Sequence, residues 1–382
     1  MNDRIKILHI ITNLPIGGAQ DNTLYTLELL DKGKYDVSLA CNLCGEFVER
    51  ANSIVQCKIY NIKYLAREIN LFKDLRATLE LVKLMRKEKF QIVHTHSSKP
   101  GVIGRIAAFI SCVPVLIHTV HGFPFHDFMN IFKRKYLLLV ERAMNSITTH
   151  LITVSKLNLK KIIDLGLATE NKITNIYSGI DFKKFQVLSK SSIRNELGIN
   201  PKIRLVGFVG RLSEQKAPLT YSKAIAKVVK LYPDCHFIFV GDGPKRTEIE
   251  KFINKKQLDS RVSLLGTRKD IPEIINSLDL FVLSSIYEGL GRSLTEALYC
   301  KVPVVATKVD GVPELIQDNK TGLLVPPEDC ERLAEAIVYA LNNPGKMKRL
   351  AKEGHKFVKL HFDVKQMVKK IEIIYEELLT NL

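Results

Sequence analysis

Leu280-Phe281-Val282-Leu283 leads, through a short loop, into Glu288-Gly289-Leu290-Gly291-Arg292-Ser293-Leu294-Thr295-Glu296 and on to Ala297-Leu298-Tyr299. An apolar run, then glycines, then a helical turn describe a strand feeding a helix, the building unit of an α/β protein. Two carboxylates, Glu288 and Glu296, stand on either side of the turn. A helix start presents unpaired backbone N–H groups and the positive end of the helix dipole, so it favours phosphate. A carboxylate beside such a cradle accepts hydrogen bonds from the hydroxyls of whatever carries that phosphate. Phosphate donors together with hydroxyl acceptors point to a sugar nucleotide.

The same alternation extends outward along the chain. Strands are expected at 6–11, 35–40, 92–94, 115–119 and 151–154, and again at 205–209, 236–240, 262–264, 280–283, 304–306 and 322–324. Helical spacing lies between them, as at 71–88, 218–231 and 246–256. Strands alternating with helices predict doubly wound parallel sheets with helices on both faces. The pattern restarts near residue 203, after a polar stretch without strand signal. The expected organisation is an N-terminal Rossmann-like domain at 1–181, a linker at 182–202, a C-terminal Rossmann-like domain at 203–361, and a helix at 362–382 packing back on the first domain. Ligands of such sheets bind beyond the carboxyl ends of the strands, so two facing halves would hold a ligand in the cleft between them. No G-x-G-x-x-G follows the first strand of either half, which sets aside a nicotinamide dehydrogenase.

The 382 residues, 46% hydrophobic and 25% charged, suit a folded two-domain protein. No apolar run is long enough to span a bilayer. The stretch 5–11, interrupted by Lys6 and His9, reads as a buried strand and not a signal peptide. Seven scattered cysteines favour reduced thiols and a cytoplasmic location. Cys41 and Cys44 form a lone C-x-x-C, read as two ordinary buried or half-buried thiols and not as a redox or zinc motif. The formal charge of +17 is concentrated in part at 58–105, with eleven Lys or Arg against four Asp or Glu. Without interleaved aromatics or a recognised module, nucleic acid is not the expected partner. Around Lys133-Arg134-Lys135, with Phe128, Met129, Ile131, Phe132 and Tyr136-Leu137-Leu138-Leu139 nearby, two readings stay open: a segment lying in an anionic headgroup layer, or a core helix with a solvated basic end.

Further motifs follow strand ends. Gly17-Gly18-Ala19-Gln20 comes after the first strand, where paired glycines let a backbone approach an anion or simply make a turn. His121-Gly122-Phe123 follows 115–119, and Gly210-Arg211-Leu212-Ser213-Glu214-Gln215-Lys216 follows 205–209. Gly241-Asp242-Gly243-Pro244 is a tight turn. Leu265-Gly266-Thr267-Arg268 and Asp310-Gly311-Val312-Pro313-Glu314 complete the series. His94 and His96 have an i, i+2 spacing, for which structural or acceptor-side roles are preferred over metal ligation, and His118 is read as a packing residue on the other strand face.

In this order, and over nearly the full length, these motifs resemble a family 4 glycosyltransferase of the retaining, two-domain GT-B type. The resemblance implies that His121 lies at the reacting sugar and that Gly17 and Gly18 lie near the donor diphosphate and the acceptor. Arg211 and Lys216 would neutralise the departing diphosphate, so that no catalytic metal and no cofactor is required. Thr267 and Arg268 would lie in the loop whose backbone meets the nucleotide base. Glu288 would grip the transferred sugar and Glu296 the ribose, with Gly289, Leu290, Gly291, Arg292 and Ser293 cradling sugar and phosphate. Relatives commonly have Gly where Ala217 and Asp310 stand here.

The expected activity is transfer of a hexosyl unit from an NDP-sugar, UDP favoured, to a glycan or polyprenyl-linked acceptor in cell-surface polysaccharide synthesis. The sequence His121-Gly122-Phe123-Pro124-Phe125-His126 resembles members from such pathways, which suggests a cytoplasmic enzyme peripheral to the membrane. Two carboxyls gripping opposite ends of one nucleotide cannot serve as a retaining glycosidase pair, which needs them about 5 Å apart. Front-face attack is therefore expected, with Lys216→Ala losing turnover more than stability. The alternatives are a sugar-nucleotide epimerase, which would need no acceptor, and a non-catalytic sugar-nucleotide-binding subunit.

Overall fold

Apolar runs such as Leu280–Leu283 and Cys235–Val240 carry no charged residue, because both faces of their strands are covered. They sit inside the two parallel sheets of the computed structural model, which describes residues 4–66, 68–123, 125, 129–186 and 192–382. The chain divides into one unit of Met1–Gly179 with Val364–Leu382, and a second of Ile180–Asp363.

The first unit contains β1 (Ile5–Asn13), β2 (Tyr35–Asn42), β3 (Cys57–Asn61), β4 (Ile92–His96), β5 (Val115–Val120), β6 (His150–Thr153) and β7 (Ile173–Asn175), in the spatial order β3-β2-β1-β4-β5-β6-β7. The second contains β8 (Arg204–Val209), β9 (Cys235–Val240), β10 (Val262–Leu264), β11 (Leu280–Leu283), β12 (Val304–Thr307) and β13 (Leu323–Val325), in the order β10-β9-β8-β11-β12-β13. Each sheet reverses direction beside its first strand, the switch point at which α/β sheets bind ligands. The two strands that the sequence reading lacks, β3 and β7, are the two edges of the first sheet. Edge strands have one solvated side and need no continuous apolar run. Cys57–Asn61 accordingly contains Lys58, and Ile173–Asn175 is three residues long.

The first sheet carries two different apolar faces. Ile7, Ile11, Ile92, Val115 and Ile117 pack with Met367, Ile371 and Tyr375 of the C-terminal helix Val364–Thr380. Leu8, Ile10, Val93 and Leu116 pack on the opposite side with Leu81, Met85, Ile103 and Ala107, from the helices Leu71–Glu88 and Ser98–Ile110. Of the segment 182–202, read from sequence as a linker, the described parts belong to the second unit. Phe182–Phe185 is 3-10 helical and Ser192–Glu196 is helical, with Ile193 buried and Arg194 paired to Asp279 at 2.5 Å.

All seven cysteines are free thiols. Cys41 is buried in β2 while Cys44 is exposed, so the lone C-x-x-C splits between core and surface. The helix Ile131–Ser146 has a packed side and an exposed apolar side. Leu137 and Leu138 pack against the cluster of Phe125, Leu151 and Ile162, while Ile131, Phe132, Tyr136 and Leu139 are exposed. Phe128, Pro124 and His126 lie outside the described residues.

Candidate active site

In the second unit, the expected site residues follow the carboxyl ends of β8, β10 and β11. The loop after β8 is tied to the loop after β11 by backbone and side-chain bonds. Ile286 N–H donates to the Gln215 carbonyl (2.8 Å), Gln215 Nε2 donates to the Tyr287 carbonyl (3.1 Å), and Ser284 Oγ donates to the Lys216 carbonyl (2.9 Å). This register brings Lys216 Nζ into an ion pair with Glu288 Oε1, which also accepts from Ser285 Oγ at 2.6 Å. Glu288 is 7% exposed. Its Oε2 has no hydrogen-bond partner among the described residues and is left to accept from a ligand hydroxyl.

The cradle follows directly. Gly291, at φ +96°, occupies left-handed backbone open to glycine at little cost, and caps the helix Arg292–Tyr299. No side chain caps that helix start, so its first N–H groups remain suited to an anion. Leu290 is buried beneath the turn, and Ser293 lies in the first helical turn after Gly289-Leu290-Gly291. Glu296 is buried as well, one helical turn beyond Arg292, whose Nε donates to Glu296 Oε1 at 3.1 Å.

Arg211 is exposed on the same loop as Lys216 and has no ion-pair partner among the described residues. The loop is braced by the Gly241–Pro244 turn, where Leu212 N–H donates to the Asp242 carbonyl (3.0 Å) and Lys245 N–H to the Leu212 carbonyl (2.9 Å). A Cβ at Gly241 would stand 2.1 Å from the Gly210 carbonyl oxygen, so glycine is required there by close backbone approach. Thr267 and Arg268 follow Gly266, whose carbonyl accepts from Gly241 N–H at 2.7 Å. The Arg268 guanidinium is held by Glu196 (2.7 and 2.9 Å) and Asp270 (2.8 and 2.7 Å), and those acceptors raise its pKa.

Both departures from the family pattern have a structural counterpart. Ala217 lies at φ +43° and Asp310 at φ +37°, backbone that a side chain adopts only at a cost. At position 310 there is a compensation, because Asp310 Oδ2 accepts the Glu288 N–H at 2.9 Å. A glycine could not do this. Asp310 and Ser285 thus hold the backbone and the carboxylate of Glu288, and neither was identified from sequence. The signal for Asp310 was the missing glycine itself; Ser285 left none, being one of two adjacent serines after a strand.

In the first unit, Gly17 is the N-cap of the helix Gly18–Leu29, in extended backbone at φ −179° that any residue adopts. His121 follows β5, and its Nε2 meets His96 Nδ1 at 3.2 Å. Burial pushes its pKa down to about 4, so the ring is neutral at pH 7. His118 faces the other way along β5. Its Nδ1 meets Thr95 Oγ1 at 2.9 Å, and its ring lies where a Cβ on Gly101 would stand, 2.5 Å from Cε1. Donor atoms of His9, His94 and His96 lie within 4.8 Å of one another, the one such convergence of three or more metal-binding side chains among the described residues. Those ring nitrogens are already hydrogen-bonded to one another or to Thr119, Tyr375 and His121.

Two parallel-sheet units with helices, each with its switch point beside the first strand, have the two-domain GT-B architecture of glycosyltransferases. Sequence comparison agrees. Residues 16–184 match the family described as Glycosyltransferase Family 4, and residues 189–357 match Glycosyl transferases group 1. The chain is 31% identical to the UDP-Gal:alpha-D-GlcNAc-diphosphoundecaprenol alpha-1,3-galactosyltransferase of Escherichia coli, over 100% of this chain and 99% of that one. It is 28% identical to the capsular polysaccharide biosynthesis glycosyltransferase CapM of Staphylococcus aureus, over 98% and 97% of the two chains. The crystal structure of Anabaena HepE in complex with UDP and glucose superposes with a TM-score of 0.83 at 23% identity, covering 99% of this chain and 100% of that one. The chain belongs to glycosyltransferase family 4, and it is a glycosyltransferase.

Proposed function

We propose that this enzyme transfers a hexosyl unit from a UDP-sugar to a lipid-linked or glycan acceptor in cell-surface polysaccharide synthesis, with retention at the anomeric carbon. The observation that carries the donor side is the Lys216–Glu288 pair beside the uncapped start of Arg292–Tyr299. In this reading the helix start, Arg211 and Lys216 receive the diphosphate, Glu288 Oε2 accepts a sugar hydroxyl, and Glu296 accepts from the ribose. His121, with Gly17 and Gly18, serves the sugar and acceptor side, and Thr267 and Arg268 flank the base. The acceptor hydroxyl attacks the anomeric carbon from the face that the phosphate leaves, and its proton passes to the departing phosphate oxygen. Arg211 and Lys216 stabilise the negative charge gathering there, so no metal ion is needed. The UDP and lipid-linked acceptor follow the activity for which the Escherichia coli relative is named and the UDP bound to HepE.

A thermal-shift panel of UDP, GDP, ADP and their sugars tests the donor. A ligand at a hundred times its Kd stabilises by about 2.7 kcal/mol, so UDP and one UDP-sugar are expected to stand out. Stabilisation by GDP alone would overturn the uridine reading. An inverted anomer in the product of the reaction, or turnover abolished by a chelator, would overturn retention or metal independence respectively.

The acceptor side extends to a membrane surface in the same proposal. Leu71, Phe72, Leu75 and Leu79 form one exposed helical stripe, and Ile131, Phe132, Tyr136 and Leu139 form another. Lys73, Arg76, Lys133 and Lys135 are exposed among them. Apolar stripes interleaved with lysine and arginine fit an anionic headgroup layer. Among the described residues no helix is long and apolar enough to cross a bilayer. Cosedimentation with phosphatidylglycerol vesicles is expected, with little binding to phosphatidylcholine and none by Phe72→Ser/Phe132→Ser. Equal behaviour with both lipids would remove the membrane role.

A further inference from the structure

β1, β4 and β5 lie side by side, with His9 in register with His94 and His96 with Thr119. Registered residues of parallel strands share a face, so these four side chains lie on the side that Tyr375 of the C-terminal helix covers. The apolar alternation of that face, Ile7 and Ile11 in β1 and Ile92 in β4, is interrupted by three imidazoles that are at most 1% exposed. Burying three imidazoles where isoleucine or valine would pack costs desolvation unless every ring nitrogen is bonded.

They are bonded in single file. Thr119 Oγ1 meets His94 Nε2 at 2.7 Å, and His94 Nδ1 meets Tyr375 Oη at 2.6 Å. The same Tyr375 Oη meets His9 Nε2 at 3.2 Å, and His9 Nδ1 meets His96 Nε2 at 2.9 Å. His96 Nδ1 then meets His121 Nε2 at 3.2 Å. Burial lowers the pKa of all four imidazoles, so each is neutral with one N–H and one bare nitrogen. A neutral ring that donates from one nitrogen must accept at the other. An unbroken chain therefore has two proton orders, one running from Thr119 towards His121 and one in reverse. In the first, His121 holds its proton on Nδ1; in the second, it holds it on Nε2 and Nδ1 is bare.

We infer that His96, His9, Tyr375 and His94 are positioning residues that set the tautomer of His121 and so decide whether its Nδ1 donates or accepts. The inference rests on the role proposed above for His121. Tyr375 is the coupling point: its single hydroxyl proton can go to His9 or to His94, and it belongs to a helix that reaches the sheet only after the chain has left the second unit. The first unit's site thus depends on a residue 366 positions from His9. A transition metal on His9, His94 and His96 would need the same nitrogens that the chain uses.

The test starts with the unmodified enzyme labelled with 15N-histidine. Through-hydrogen-bond nitrogen–nitrogen couplings are expected between His9 and His96 and between His96 and His121, with ring shifts of a single tautomer at His121. In Tyr375→Phe the link between His94 and His9 is cut, so His121 should show mixed tautomers. The kcat of Tyr375→Phe should fall about tenfold while KM for the donor stays within about twofold, because a mixed population no longer presents one fixed donor or acceptor atom of His121. Absent couplings, stoichiometric bound metal, or wild-type His121 shifts in folded Tyr375→Phe would each overturn the inference. The couplings need no variant, so a poorly folded Tyr375→Phe does not protect it. Undiminished turnover by His121→Ala would instead remove the proposed role of His121, a result separate from the couplings.

Discussion

Lys216→Ala is expected to lower kcat by about 10²–10³-fold, the usual cost of deleting one preorganised group that meets developing charge. Sequence reasoning expects the same variant to lose turnover more than stability. The structure revises that, because Lys216 is the cation paired with Glu288, a carboxylate only 7% exposed. Removing one partner of a largely buried pair leaves a desolvated charge, at a cost of up to about 3–5 kcal/mol. Ser285 Oγ and the Asp310 clamp remain and offset part of it. Turnover and unfolding midpoint should therefore both fall. The double variant Lys216→Met/Glu288→Gln separates the two effects, since it removes both charges together. It should recover most of the lost stability and none of the turnover. Recovery of turnover in the double variant would show that Lys216 acts only by neutralising Glu288, and full turnover in Lys216→Ala would remove its role at the leaving group.

The second large effect is acid instability of the first unit. His9, His94, His96 and His118 are at most 2% exposed, and burial holds each pKa below its ordinary value, His9 at about 3. In the unfolded chain each returns to about 6.5, so below that pH the unfolded state binds protons that the folded state refuses. The stability is complete above pH 6.5 and is lost as pH falls towards the folded values. At His9, whose folded value is about 3, the loss at pH 5 is about 2 kcal/mol, and the other three act in the same direction. Their combined effect is large against a domain stability of about 5–15 kcal/mol. Urea midpoints should drop steeply between pH 7 and 5, and hydrogen exchange should place the opening in β1, β4 and β5 ahead of the second unit. An unchanged midpoint across that range would mean that these imidazoles are not buried neutral.

Much of this protein could be read locally. The strand–helix alternation depends on burial of consecutive residues, which apolar runs record directly, so the central strands of both sheets could be read and the polar edges β3 and β7 could not. The glycine turn at Gly289 and Gly291, the lysine after β8 and the two flanking glutamates are likewise short-range patterns tied to strand ends. Glu288 and Lys216 were placed in one site by motif order, but their direct pairing is a tertiary fact, since it joins residues 72 positions apart.

The residues that hold the site are of another kind. Asp310 differs from a plain departure from pattern only because its backbone turns to φ +37° and its carboxylate reaches the Glu288 N–H. His9 and Tyr375 carry no local signal at all. A histidine in a buried strand reads as a core residue until sheet register sets it beside His94, and a tyrosine in a C-terminal amphipathic helix reads as packing until that helix covers the imidazoles. Backbone propensity and apolar periodicity are properties of neighbouring residues, and they suffice for the two sheets and for the chemistry at their strand ends. Which polar groups meet across those sheets depends on register and on which helix closes each face, and only the folded chain decides that.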